Sequence, residues 1–184
     1  MTAEVAERFV EIPADVKIEV NRRKVIATGP KGSINEDLSH MPVEFETKNG
    51  RVVIRSSGSR KRDKAMVGTA AAHIANMVKG VTKGFAYRLK IVYAHFPVTV
   101  KVLEKERRVS IENFGGEKTP RFASMVGNAA VRVSGDEVIV EGARLDEVSR
   151  TASNIEEATK IKEKDQRVFL DGIYIFQKGE AVKK

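Results

Sequence analysis

Apolar and polar residues alternate in the same way along two separate stretches of this chain. Val16, Ile18 and Val20 are spaced two apart with polar residues between them, which puts their side chains on one face of a β-strand. Asn21 to Lys24 then mark a turn, and Val25-Ile26-Ala27 predicts the returning strand. Further along, Val98, Val100 and Val102 repeat the alternation, Glu104 to Arg107 supply the turn, and Val109 to Ile111 return. A second hairpin is predicted in each half. Val43 to Glu46 turns at Asn49-Gly50 into Val52 to Ile54, and Val131 to Val133 turns at Gly135-Asp136 into Val138 to Val140. Asn-Gly is a strong hairpin signal because both residues tolerate the positive φ of a tight turn.

After each second hairpin the apolar period lengthens to that of a helix. Val67, Ala70, Ala71, Ile74, Met77, Val78 and Val81 fall on one helical face, as do Leu145, Val148, Ala152, Ile155, Ala158 and Ile161. Glycine-containing loops, Gly29-Pro30-Lys31-Gly32 and Gly115-Gly116-Glu117-Lys118, follow the first hairpin of each half. The same order thus occurs twice in 184 residues. It predicts an α+β protein of two tandem repeated modules, each a small mostly antiparallel β-sheet covered by one α-helix. The modules are expected at residues 1–85 and 86–184, with the junction near Gly84 to Ala86.

Charge adds a partner class to this shape. The chain has 33 Lys+Arg against 25 Asp+Glu, a formal net charge of +8 and a sequence pI of about 9.7, which points to a polyanion. Both halves share the excess: residues 1–85 carry 15 basic and 10 acidic side chains, and residues 86–184 carry 18 and 15. The absence of cysteine removes disulfides, thiolate metal sites and cysteine nucleophiles. The uncharged stretch from Ala65 to Val78 is too short to cross a bilayer, and the first eight residues show neither a secretory signal nor a transit peptide.

Candidate chemistry is sparse. Gly29-Pro30-Lys31-Gly32 resembles a phosphate cradle only loosely, because strand-like residues follow it and Pro30 lacks an amide donor. It is expected to be a turn, with Lys31 as a possible phosphate contact. His40, His73 and His95 are far apart and lack metal-site spacing, and His95, beside Phe96-Pro97, is expected to pack or turn. Glu44, Glu46, Glu156 and Glu157 are expected on solvated faces, so no general acid–base pair is proposed. The sequence thus offers no catalytic residue, metal or cofactor.

Basic segments are more informative. Arg60, Lys61 and Arg62 precede or open the first helix, with Ser59 as the expected N-cap and Asp63 as partial relief. Cations there oppose the helix dipole at a cost of about 0.3 to 1 kcal/mol each when exposed, unless an external anion reverses the sign. Lys160, Lys162, Lys164 and Arg167 follow the second helix, where the dipole favours them, and Lys118 and Arg121 form a basic loop tip. There is no tryptophan, zinc-finger spacing, helix-turn-helix or strand of adjacent exposed aromatics. Backbone and shape recognition of folded RNA is the preferred reading, against a phosphate-binding enzyme at Gly29 to Gly32 or a basic adaptor for acidic proteins.

Three segments also carry a resemblance. Thr28-Gly29-Pro30-Lys31-Gly32-Ser33, the run from Asn76 to Phe85, and Arg167 to Tyr174 together resemble the large-subunit ribosomal protein six family over essentially the whole chain. Tyr93-Ala94-His95-Phe96-Pro97 and Asn113 to Lys118 resemble its archaeal and eukaryotic branch. The resemblance implies a non-enzymatic, cytoplasmic constituent of the large subunit. It also implies binding to 23S-type rRNA near the sarcin–ricin loop and the stalk base, beside other ribosomal proteins and close to where translational GTPases dock. On that reading Lys118, Arg121, Lys160, Lys162, Lys164 and Arg167 are the preferred rRNA contacts. Arg60, Lys61 and Arg62 are secondary, and Lys31 is a further candidate.

Overall fold

A computed structural model of the chain describes residues 6–48, 50–56, 58, 60–161, 165 and 168–181, and these divide into two compact units, Met1–Lys83 and Gly84–Lys184. In the first unit the predicted hairpin forms from β2 (Lys17–Asn21) and β3 (Lys24–Gly29), and β4 (Gly32–Asp37) extends it into a three-stranded antiparallel sheet. The second hairpin, β5 (Val43–Lys48) and β6 (Arg51–Ser56), gains β1 (Glu7–Glu11) on its far side, in the order β1-β6-β5. Helix α1 (Lys61–Thr82) lies across both sheets and buries Val67, Ala70, Ile74, Met77 and Val81 against Val25, Ala27, Val52 and Ile54. One helix thus closes two small sheets, where the periodicity predicts a single sheet.

β1 has no alternating signal, and its burial is slight: only Val10 is even half-buried. Its register against β6 is held by backbone pairing and by exposed cross-strand groups. Arg55 bonds Glu7 at 3.3 Å, Arg51 bonds Glu11 at 2.9 Å, and the Arg51 guanidinium lies 5.2 Å from the Phe9 ring centre.

The second unit repeats the plan with additions. β8 (Thr99–Leu103), β9 (Arg108–Glu112) and β10 (Arg121–Ser124) form one antiparallel sheet. The other has the order β11-β12-β7-β13, built from β7 (Phe85–Val92), β11 (Ala130–Ser134), β12 (Glu137–Gly142) and β13 (Gly172–Glu180). Helix α2 (Leu145–Ala158) covers the shared core of Leu89, Ile111, Val138, Val140, Val148, Ile155 and Ile173. Its last turn differs from the periodic expectation, since α2 ends at Ala158 and Ile161 packs against the core from beyond it.

Thr159 ends the helix. Its hydroxyl donates to Glu156 O at 3.0 Å and accepts the Ile173 N–H at 3.0 Å, while the residue is 2% exposed. This single side chain joins the helix end to the first turn of β13. Thr159→Val would keep the shape but leave the buried Ile173 N–H unpaired, and urea denaturation should show a loss of about 1 to 3 kcal/mol.

Candidate nucleic-acid interface

In the second unit, segments far apart in sequence meet at one group of loops. The Ala94 N–H donates to Asp171 Oδ1 at 2.8 Å, and Asn113 Nδ2 donates to Pro97 O at 3.0 Å. Asn113, with φ +58°, and Gly116, with φ +79°, turn the chain back so that Gly116 lies under the Phe96 ring, where a Cβ would come within 3.2 Å. Phe114 is thereby buried, and the Arg121 guanidinium stacks on it at 4.4 Å.

Arg121 is the tie that binds this cluster to the end of α2. Its Nε and Nη2 meet the two carboxylate oxygens of Glu117 at 2.9 and 2.5 Å, while Nη1 donates to Ala158 O at 3.0 Å and Lys160 O at 3.4 Å. The hydrogen bond that Arg121 donates to Glu117 outweighs desolvation and raises the Arg121 pKa. A cation at the carbonyl end of a helix is favoured by the dipole as well as by the bonds. Arg121, expected from sequence to touch RNA, is bonded within the unit by these contacts. Lys118 and Lys160, on either side of it in sequence, are exposed.

The remaining candidates fall elsewhere. Lys162, Lys164 and Arg167 lie outside the described residues. Arg60, Lys61 and Arg62 are exposed at the start of α1, with Arg60 as the N-cap, and the expected cap Ser59 lies outside the described residues. Asp63 reaches back to the Arg60 N–H at 3.2 Å, which offsets part of the cost of those cations. Lys31 sits at the opposite end of the same helix: its amine bonds Lys83 O and its N–H donates to Val81 O at 2.9 Å. Over 22 helical residues these two groups are roughly 33 Å apart, so they do not form one patch.

That placement also argues against a nucleotide cradle at Gly29 to Gly32. The loop faces the negative, carbonyl end of α1, whereas phosphate cradles use the amino end, and β4 follows it instead of a helix. Among the described residues no group of three or more His, Cys, Asp or Glu is placed to hold a metal ion. His73 is paired with Glu36 at 2.6 Å, linking α1 to β4. Glu156, expected on a solvated face, instead accepts the Ile175 N–H at 3.1 Å, next to a bulge in β13. The expectation that no strand carries neighbouring exposed aromatics also fails there, since Tyr174 and Phe176 are both exposed on β13.

Asn113, Glu117, Asp171 and Glu156 are positioning residues that the charge pattern does not single out. Their one sequence signal is a polar side chain beside a glycine or a helix end.

Two compact α+β units of one plan, each with charged loops, define a duplicated α+β fold. The ribosomal protein L6 family matches residues 12–84 and 96–172, and the chain belongs to that family of structural, non-enzymatic components of the large ribosomal subunit. It is 50% identical over 179 residues to large ribosomal subunit protein uL6 of Desulfurococcus amylolyticus, covering 97% of both chains. It is 49% identical over 173 residues to that of Staphylothermus marinus, covering 93% of this chain and 94% of the relative. With the Methanothrix thermoacetophila protein it shares 43% over 178 residues, 97% of this chain and 99% of the other.

Arg121→Lys tests the clamp. Lysine keeps the charge but not the planar fork that serves a carboxylate and two carbonyls together. Urea unfolding should show a loss of about 1 to 2 kcal/mol for the second unit.

Proposed function

We propose that this chain binds 23S-type rRNA near the sarcin–ricin loop and the base of the acidic stalk, and so supports the region where translational GTPases dock. The family supports the large-subunit partner, and the resemblance of the motif segments supports the location. The observation that carries the reading on this molecule is the loop cluster of the second unit, where Arg121 fixes the backbone between exposed Lys118 and Lys160. A cation on a pre-ordered loop binds a phosphate without the cost of ordering the backbone that carries it.

Lys118, Lys160, Lys162, Lys164 and Arg167 are the proposed phosphate contacts, and Arg121 acts through them. Arg60, Lys61 and Arg62 form a secondary site at the amino end of α1, where RNA phosphate would reverse the sign of their interaction with the dipole. Lys31 contributes only if its amine leaves Lys83 O. Neighbouring large-subunit proteins at the stalk base complete the expected surroundings.

Binding to large-subunit rRNA should weaken log-linearly with salt, with a slope of about 0.7 to 0.9 per neutralised phosphate. Neutralising Lys118, Lys160, Lys162, Lys164 and Arg167 together should make the slope shallower by about 1 per lost contact. A purified chain that ignored this RNA at low salt, or failed to sediment with large subunits, would remove the reading.

A further inference from the structure

The first hairpin of each unit holds an arginine in the left-handed region. Arg22, with φ +58°, lies in the turn between β2 and β3, and Arg107, with φ +53°, lies in the turn between β8 and β9. Glycine or asparagine adopts this backbone at less cost, so an arginine here points to a use for its side chain. For Arg107 that use is internal: its guanidinium bonds Gly127 O and, at 3.2 Å, Ala129 O, closing the loop before β11. Arg22 makes no such bond among the described residues and is exposed.

The surroundings of Arg22 concentrate charge. Arg23 donates to Ser39 O at 3.3 Å, and Lys24 stands 3.6 Å from Asp37, with both side chains more than half exposed. Asp37 is held ionised chiefly by hydrogen bonds from Ser39, with Lys24 contributing less. Three consecutive cations, of which Lys24 is paired with Asp37, thus stand on a tip fixed by the Asn21–Lys24 pairing of the β-ladder. They border an open hollow of about 420 Å³, with Asn21 and Ser39 completing its wall.

We infer that the β2–β3 hairpin tip is a further phosphate-binding site for RNA, with Arg22 as its contact and Arg23 and Lys24 beside it. The choice of RNA rests on the function proposed above. It is also favoured over an acidic protein by what surrounds the tip. Residues 21 to 24 are all exposed, and Phe9, on another strand, is the one large exposed hydrophobic side chain described in the first unit. A protein partner would lack an apolar anchor here, whereas a phosphate contact needs none.

The test uses the full chain, deproteinised large-subunit rRNA, salt titration and footprinting of the RNA backbone. Arg22→Asn with Arg23→Gln removes the charges while giving the left-handed position a residue that suits it, and circular dichroism checks that the fold is kept. The double variant should bind about tenfold more weakly near 0.1 M salt, with a slope shallower by about 1 to 2. It should also lose protection at backbone positions different from those lost by Lys118→Ala with Lys160→Ala. Arg22→Lys, still a point charge, should stay within about threefold of the parent chain. Unchanged affinity, slope and footprint in the double variant would overturn the inference while leaving the second-unit site standing. So would unchanged RNA binding with loss of an acidic protein neighbour. Failure of the parent chain to bind this RNA would instead overturn the function on which the inference rests.

Discussion

In both units a loop cation is bound to the carbonyl end of the helix that closes the core. Lys31, in the turn between β3 and β4, bonds Lys83 O by its amine and Val81 O by its N–H. Arg121, at the start of β10, bonds Ala158 O and Lys160 O. The last carbonyls of a helix have no intrahelical partner and carry partial negative charge, so a cation there satisfies both needs at once. Because each core has a single helix over two sheets, this contact ties a loop of one sheet to the helix against which both sheets pack. The loop that supplies the cation is fixed with it.

The two copies use this contact with different chemistry. Lysine makes one bond with its amine and leaves the loop short, and Gly29 allows Val81 to pack so closely that a Cβ would come within 2.8 Å of it. Arginine is planar and serves Glu117, the Phe114 ring and two carbonyls together, which supports a longer and more charged loop. The second unit therefore carries an ordered basic loop where the first carries a tight turn. In the first unit exposed cations cluster instead at the start of α1 and at the β2–β3 tip.

The hairpins and helices were readable in the sequence because their apolar periods of 2 and 3.6 follow from backbone geometry alone. β7 has the same signal, in Phe85, Tyr87, Leu89 and Ile91, but it sits where one unit passes into the next and lacks a hairpin partner in sequence. β13 was hidden more deeply: it pairs with β7 from the far end of the unit, and the bulge after Ile175 breaks its alternation. β1 was unreadable because exposed charges, not burial, set its register. Among the candidate contacts, Lys118 and Lys160 could be found from charge. The bonds of Arg121 to the end of α2 could not, since nothing local shows that Ala158 comes to meet it.

The sequence alone determined the duplicated α+β plan, the basic balance and the motif segments that resemble a ribosomal family, since each depends on residue type and spacing. Tertiary structure decided which cations are free. A lysine or arginine has the same charge in any context, but its availability depends on which carbonyls and carboxylates the fold brings within about 3 Å. By that measure Arg121 and Lys31 are fasteners, whereas Lys118, Lys160 and Arg22 remain exposed at the surface.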